Sequence, residues 1–190
     1  MTTPKILVQF DADPHASVFD GVVAVDAGVD HLFQHGSVEP DQVRDLVYGA
    51  MFTRGPDQLH NTAIFVGGSN VTAGEQLLAE VTKCFFGPMR VSVMLDANGA
   101  NTTAAAAVLA AARHVDLAGA NALVLAGTGP VGQRAARLLA AAGANVRVAS
   151  RSVDRATKVC QAIAKQVDSA SLEPVATSNQ AELTTAVAGV

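Results

Sequence analysis

Tryptophan is absent from this chain, tyrosine occurs once and phenylalanine seven times. So few rings exclude a core built on large aromatic side chains. The abundant Ala and Gly favour an α/β protein in which small residues let helices lie close on a sheet. Cysteine is scarce as well: Cys84 and Cys160 lie far apart and in no motif. They form no disulfide framework, which agrees with a reducing compartment and a cytoplasmic location. No apolar run reaches the roughly 18 residues that a membrane span needs. The start offers one lysine, a short strand-like run and then acids, which is not the plan of a secretion signal. A Gly-x-Ser-x-Gly elbow and a Cys–His pairing are both missing, so no nucleophile is evident. His31 and His35 stand at i, i+4, but on a predicted strand and turn rather than one helix face. With no third ligand nearby, no metal is expected. His15, His60 and His114 are scattered and read as structural or exposed.

What is present is apolar and unevenly charged. Nearly half of the 190 residues are hydrophobic, enough for one large core or two small ones. Residues 1–115 hold six Lys/Arg against twelve Asp/Glu, and residues 116–190 hold seven against five. The acidic first half argues against a nucleic-acid surface, and the basic second half favours a phosphate-bearing ligand.

Apolar runs alternate with helical patterns along the whole chain. Strands are predicted at residues 5–10, 30–34, 62–66, 90–95, 121–126, 145–150 and 172–176. Helices are predicted at 17–27, 40–52, 72–84, from about 104 to 114, and at 131–142, 153–167 and 180–188. Gly28 and Gly143 read as helix stops, and Thr72-x-x-Glu75 as a capping box. Strict alternation implies parallel sheets joined by right-handed crossovers. The fold class is therefore α/β with two domains. An α/β substrate domain is expected over 1–115, and a Rossmann-like, doubly wound domain over 116–190, with residues 116–119 as linker. A sheet ending near residue 190 would be incomplete at its C-terminus, and about a hundred further residues are expected to complete it.

The clearest chemistry is Gly127-Thr128-Gly129-Pro130-Val131-Gly132. A G-x-G-x-x-G pattern has little meaning alone, but here it follows a predicted strand and opens a predicted helix. Gly127 permits the tight turn, Gly129 lets the backbone approach a pyrophosphate, and Gly132 allows close helix–strand packing. The helix N-terminus then faces the phosphates. The bland reading is a glycine-rich structural turn. An NAD site usually places an acid about 20 residues further on, at the ribose 2′-OH. Here Ser150-Arg151 stand at that place, and Asp154 is already in the next helix. A carboxylate would repel a 2′-phosphate, whereas a hydroxyl and a guanidinium would hold it, so NADP is the expected cofactor. Arg155 is a weaker helper. The alternative is that Arg151 is a solvated surface side chain.

The first half has no motif that periodicity alone can name, but its segments resemble a known family. They are Phe10-Asp11, Ser17-Val18-Phe19-Asp20, Thr53-Arg54-Gly55, TAIFVGG at 62–68, FFGP at 85–88 and MLDANGANTT at 94–103, followed by VLAGTGPVG at 124–132. Together they are similar to the NADP-dependent methylene-tetrahydromethanopterin dehydrogenases of methylotrophic bacteria, over nearly the whole chain. That resemblance implies a pterin substrate, hydride transfer to NADP in one-carbon metabolism, and a small homo-oligomer. It implies no nucleic-acid or membrane partner.

The residues are chemically suited to such a role. Predicted strands end at Asp11, Gly67 and Asp96, the edge of an open α/β sheet where ligands sit. Substrate contacts are expected from Phe19, Asn98, Asn101, Thr102 and Thr103; for the last three, helix capping is an equal reading. Hydride loss from a carbon between two nitrogens leaves a delocalised cation, so the protein needs alignment and a nearby negative charge. Asp20 and Asp96 are the candidates for that charge, and each has the alternative of a cap or a surface acid. No Tyr-x-x-x-Lys pair follows Tyr48, which argues against cyclohydrolase activity. Two alternatives remain: the same chemistry on methylene-tetrahydrofolate, and a regulator that binds NADP without turnover.

Overall fold

A computed structural model describes residues 3–190. The chain divides into two compact units, one running to Gly99 and the other Ala100–Val190. Each has its own parallel sheet and its own core.

In the first unit, strands β1 (Ile6–Phe10), β2 (His31–His35), β3 (Thr62–Val66) and β4 (Ser92–Leu95) alternate with helices α1 (Val18–Asp26), α2 (Val43–Met51) and α3 (Val71–Lys83). The sheet order is β2-β1-β3-β4, all parallel. Sequence order runs outward from β1 in both directions, so the chain reverses between β1 and β3. One face of the sheet presents Val8, Phe10, Ile64 and Val66 to Val43, Val47, Met51, Leu77 and Val81 of α2 and α3. These are side chains at the period of two on the strands and three to four on the helices, the geometry each element requires. Helix α1 instead buries only Gly21 and Ala24. At Gly21 a methyl group would stand 2.9 Å from Gln34 Nε2 and 3.3 Å from Leu32 Cδ2. Small residues thus let α1 lie directly on β2.

The second unit begins with helix α4 (Ala100–Ala112) and continues as β5 (Asn121–Val124), α5 (Pro130–Ala141), β6 (Asn145–Ser150), α6 (Val153–Ala164), β7 (Ser171–Ala176) and α7 (Gln180–Val187). Its sheet is parallel in the order β5-β6-β7. Ala136, Leu139 and Ala140 of α5 and Ala156, Val159 and Ile163 of α6 pack on Val146 and Val148.

Several local expectations change. The units meet at Gly99–Ala100 rather than at 115–116, because α4 packs against α5. Its alanine face carries no period strong enough to reveal that partner. The cap of α3 is Asn70, whose side chain accepts from the Ala73 amide at 3.1 Å, so Thr72 lies inside the helix and forms no capping box. Helix α2 starts at Val43 rather than at residue 40, and β5 ends at Val124, before a left-handed Ala126 at φ 51°. No helix among the described residues is long and apolar enough to cross a membrane.

Candidate functional site

The first candidate site lies at the carboxyl ends of β1, β3 and β4. In an open α/β sheet the crevice forms where strand order reverses, which here is between β1 and β3. Asp11, which follows β1, is fully buried. Its carboxylate accepts from the Asp13 amide at 2.9 Å and the Ser17 amide at 3.1 Å, shaping the loop into α1. Asp13 in turn accepts from the Ser69 amide at 2.7 Å and its hydroxyl at 2.9 Å, tying that loop to the one after β3. Asn98 adopts a left-handed φ of 54° and donates its amide to Gly68 O at 2.7 Å, joining the β4 loop to the same edge. Short polar residues and Asn tolerate such turns because their side chains bond locally.

Asp20 stands over this edge. Ser17 caps α1 by accepting from the Asp20 amide at 3.2 Å, which puts the carboxylate at the positive end of the helix. Burial pushes the Asp20 carboxyl above its ordinary range; hydrogen bonding to Ser17 opposes this, and the charges of Asp11 and Asp96 add to it. Three acids therefore share one strand edge, a field that favours a cation. No group of three or more His, Cys, Asp or Glu suited to a metal occurs among the described residues. Beside Asp20, Phe19 is 76% exposed, a flat apolar surface at the same helix start.

The other three residues expected to contact substrate come later in the chain. Asn101, Thr102 and Thr103 occupy the first turn of α4 and so belong to the second unit. Asn101 accepts from Arg134 Nε at 2.6 Å, which fastens α4 to α5. Thr102 and Thr103 are exposed.

The second candidate site is the glycine turn after β5. At Gly127 a methyl group would stand 2.7 Å from Val148 Cγ1 and 3.0 Å from Val124 O. At Gly132 it would collide with Ala126 O and stand 2.9 Å from Gly127 Cα. Packing of the protein on itself explains both glycines. Gly129 differs: among the described residues its one such neighbour is Ala126 O at 3.4 Å, an ordinary contact, and its φ of −80° suits any residue. The space beside it is left open by the protein, as a bound pyrophosphate would require. Gly129 is also the N-cap of α5 and has no side chain with which to cap, and Pro130 follows at the first helical position. The Thr128 carbonyl accepts from Gln133 Nε2 at 2.8 Å, which steadies the turn.

At the end of β6 the expected pair divides. Ser150 is 7% exposed and its hydroxyl faces inward. It lies 3.4 Å from Thr128 Oγ1 and accepts from the Ser152 amide at 3.2 Å, so it braces the turn. Arg151 is exposed. Ser152, which the sequence reading passed over, is the N-cap of α6 and its hydroxyl makes no capping bond. A serine immediately before a helix and beside Arg151 was the available signal.

Comparisons with known proteins follow the same division. Residues 18–98 match the family described as methylene-tetrahydromethanopterin dehydrogenase, N-terminal. Residues 122–184 match the NADP oxidoreductase, coenzyme F420-dependent family. The chain is 46% identical over 164 residues to Bifunctional protein MdtA of Methylorubrum extorquens, spanning 85% of this chain and 57% of that protein. It is 32% identical over 152 residues to the NAD(P)-dependent methylenetetrahydromethanopterin dehydrogenase of the same bacterium, spanning 76% and 51%. A shorter similarity, 42% over 79 residues, is to the shikimate dehydrogenase (NADP(+)) of Halorubrum lacusprofundi, spanning 41% of this chain and 28% of that protein. The chain thus spans little more than half the length of the first two relatives.

Proposed function

We propose that the protein transfers hydride from methylene-tetrahydromethanopterin to NADP, a reading supported by the match of residues 18–98 to the methylene-tetrahydromethanopterin dehydrogenase, N-terminal family. The product is methenyl-tetrahydromethanopterin. The observation that carries the reading is the acidic strand edge at the point where the first sheet reverses, with Asp20 held above its ordinary pKa beside Asp11 and Asp96.

The substrate's methylene carbon bridges two nitrogens. As hydride leaves, their lone pairs spread positive charge over the N–C–N unit. Asp20 is the group we assign to that charge, and Asp96 adds to the same field. Neither needs to accept a proton, because hydride transfer from the methylene carbon to NADP releases none. Phe19 offers its exposed ring to the flat pterin and Asn98 its side-chain carboxamide to the polar edge. A carboxylate fixed before the reaction stabilises the developing charge without reorganising.

When bound, NADP supplies the hydride acceptor through its nicotinamide. The open flank of Gly129 and the uncapped start of α5 fit its pyrophosphate. Gly127, Thr128, Pro130, Val131 and Gly132 form the rest of that turn. Arg151 is assigned to the 2′-phosphate, with the Ser152 hydroxyl beside it and Arg155 one turn further on. Ser150 serves this site indirectly, by bracing Thr128. A guanidinium fork suits a phosphate, and no acid stands at this strand end to favour a bare ribose.

Initial rates followed at the nicotinamide absorbance band test the proposal, with methylene-tetrahydromethanopterin and methylene-tetrahydrofolate each run against NADP and NAD. Turnover is expected with NADP and the methanopterin carrier. A faster rate on the folate carrier would change the substrate, and indifference to NADP would remove the reading.

A further inference from the structure

One buried polar group has no part in this chemistry. Gln9 lies within β1, opposite Gln34 of β2 and Phe65 of β3, and is 1% exposed. Its carboxamide oxygen accepts from Gln34 Nε2 at 2.9 Å, and the same Gln34 nitrogen donates to Ser17 O at 3.2 Å. An amide nitrogen only donates, so Gln34 obliges Gln9 to present its oxygen and turn its own nitrogen away. That nitrogen is buried and has no hydrogen-bond partner. Leaving such a donor unpaired is costly, and natural proteins seldom do so without a reason.

Gly67 shows where the donor is directed. A carbon placed at its missing Cβ would lie 3.5 Å from Gln9 Nε2 and 3.0 Å from Asp20 Oδ2. The free amide and the carboxylate therefore flank one gap, which exists because residue 67 has no side chain. The groups that bear on Asp20 are Ser17 on its own helix, Asp11 after β1 and Asp96 after β4. Phe65 and Gly67, from β3 and its end, bring no charge. Among the described residues, Gln9 Nε2 is a buried side-chain donor on that side whose hydrogen bond is uncommitted.

We infer that Gln9 is a positioning residue for Asp20: the ionised carboxylate closes onto the free amide N–H across Gly67 and is held there, aimed at the substrate. Gln34 acts one step further back, by fixing which end of the Gln9 amide faces the gap. This rests on the role proposed for Asp20 and adds the group that keeps it charged and in place.

The test is a carbon-NMR titration of the Asp20 carboxyl in the intact chain, its signal identified by its loss in Asp20→Asn. Gln9→Met keeps the length and removes the donor, and relieving a buried unpaired group favours folding of this variant. The Asp20 midpoint is expected to rise by about one pH unit in Gln9→Met, because hydrogen bonding favours the charged form. Gln34→Met alters an exposed residue, leaves the donor in place but unfixed, and is expected to raise the midpoint by less. In turnover assays the acid limb of kcat/KM is expected to move with it, a loss of about tenfold below both midpoints. The NADP dissociation constant stays unchanged. An Asp20 midpoint equal in wild type and both variants overturns the role of Gln9, even where the wild type turns over methylene-pterin. A wild type that binds NADP without turnover defeats the dehydrogenase reading instead, and the titration still decides on Gln9.

Discussion

Two glycines of one turn differ in what each missing side chain makes possible, and this yields a sharp expectation. Gly132→Ala forces a methyl into Ala126 O and Gly127 Cα, and overpacking of that kind costs about 1–3 kcal/mol. Gly129→Ala meets nothing closer than Ala126 O at 3.4 Å. The first variant is expected to lower the melting temperature. The second is expected to melt like wild type yet bind NADP at least about tenfold more weakly, about 1.4 kcal/mol. Calorimetry and thermal melts on the two variants separate a structural turn from a phosphate cradle. Asp20 gives a second expectation at this scale. Its carboxyl is raised in the folded chain, by burial first. Its contribution to stability is therefore present below the unfolded pKa and is lost as pH rises through the folded one. Asp20→Asn removes that dependence, so its melting temperature at neutral pH should be no lower than wild type's. Its kcat/KM should fall by on the order of a hundredfold, as when a preorganised electrostatic group is removed.

Among the elements, capping decides where helices begin. The α3 start shows how nearby candidates compete. Asn70, with backbone in the extended region, accepts from the Ala73 amide, while Thr72 is already helical. Asn70→Ala should cost about 1 kcal/mol in urea unfolding, and Thr72→Ala should be nearly neutral; the reverse result would restore the capping box. Strands at 62–66 and 145–150 were legible to the residue, since each is a short apolar run closed by Gly or followed by a polar turn. The start of α2 was less so, because Pro40 suits a first helical turn and also the turn that precedes one. Helix α4 was the least informative element. Its alanines favour a helix, but with almost no amphipathic stripe they do not say which sheet it serves.

For the whole molecule, the glycine turn, Ser150 and Arg151 all belong to Ala100–Val190. NADP at about a hundred times its dissociation constant adds about 2.7 kcal/mol to the folded state that binds it. Hydrogen exchange with and without NADP is expected to show added protection in β5, β6 and the first turn of α5. Unchanged exchange there would move the cofactor away from this turn. NAD at the same concentration is expected to protect less, and Arg151→Ala to narrow the difference between the two.

Period, turn and cap signals are local, so the sequence by itself determined the alternation of strands and helices, the parallel class and the glycine turn after β5. It also supplied the residues proposed to hold a phosphate and a pterin. Only the tertiary structure decided the order β2-β1-β3-β4, because strand neighbours are chosen by burial across the sheet rather than by adjacent residues. That order sets the ends of β1 and β3 side by side and gathers Asp11, Asp20 and Asp96. It also turned Ser150 inward, gave α4 to the second unit and left one amide of Gln9 without a partner beside Gly67. A buried hydrogen bond that is missing has no signature in sequence, since it depends on every group that packs around it.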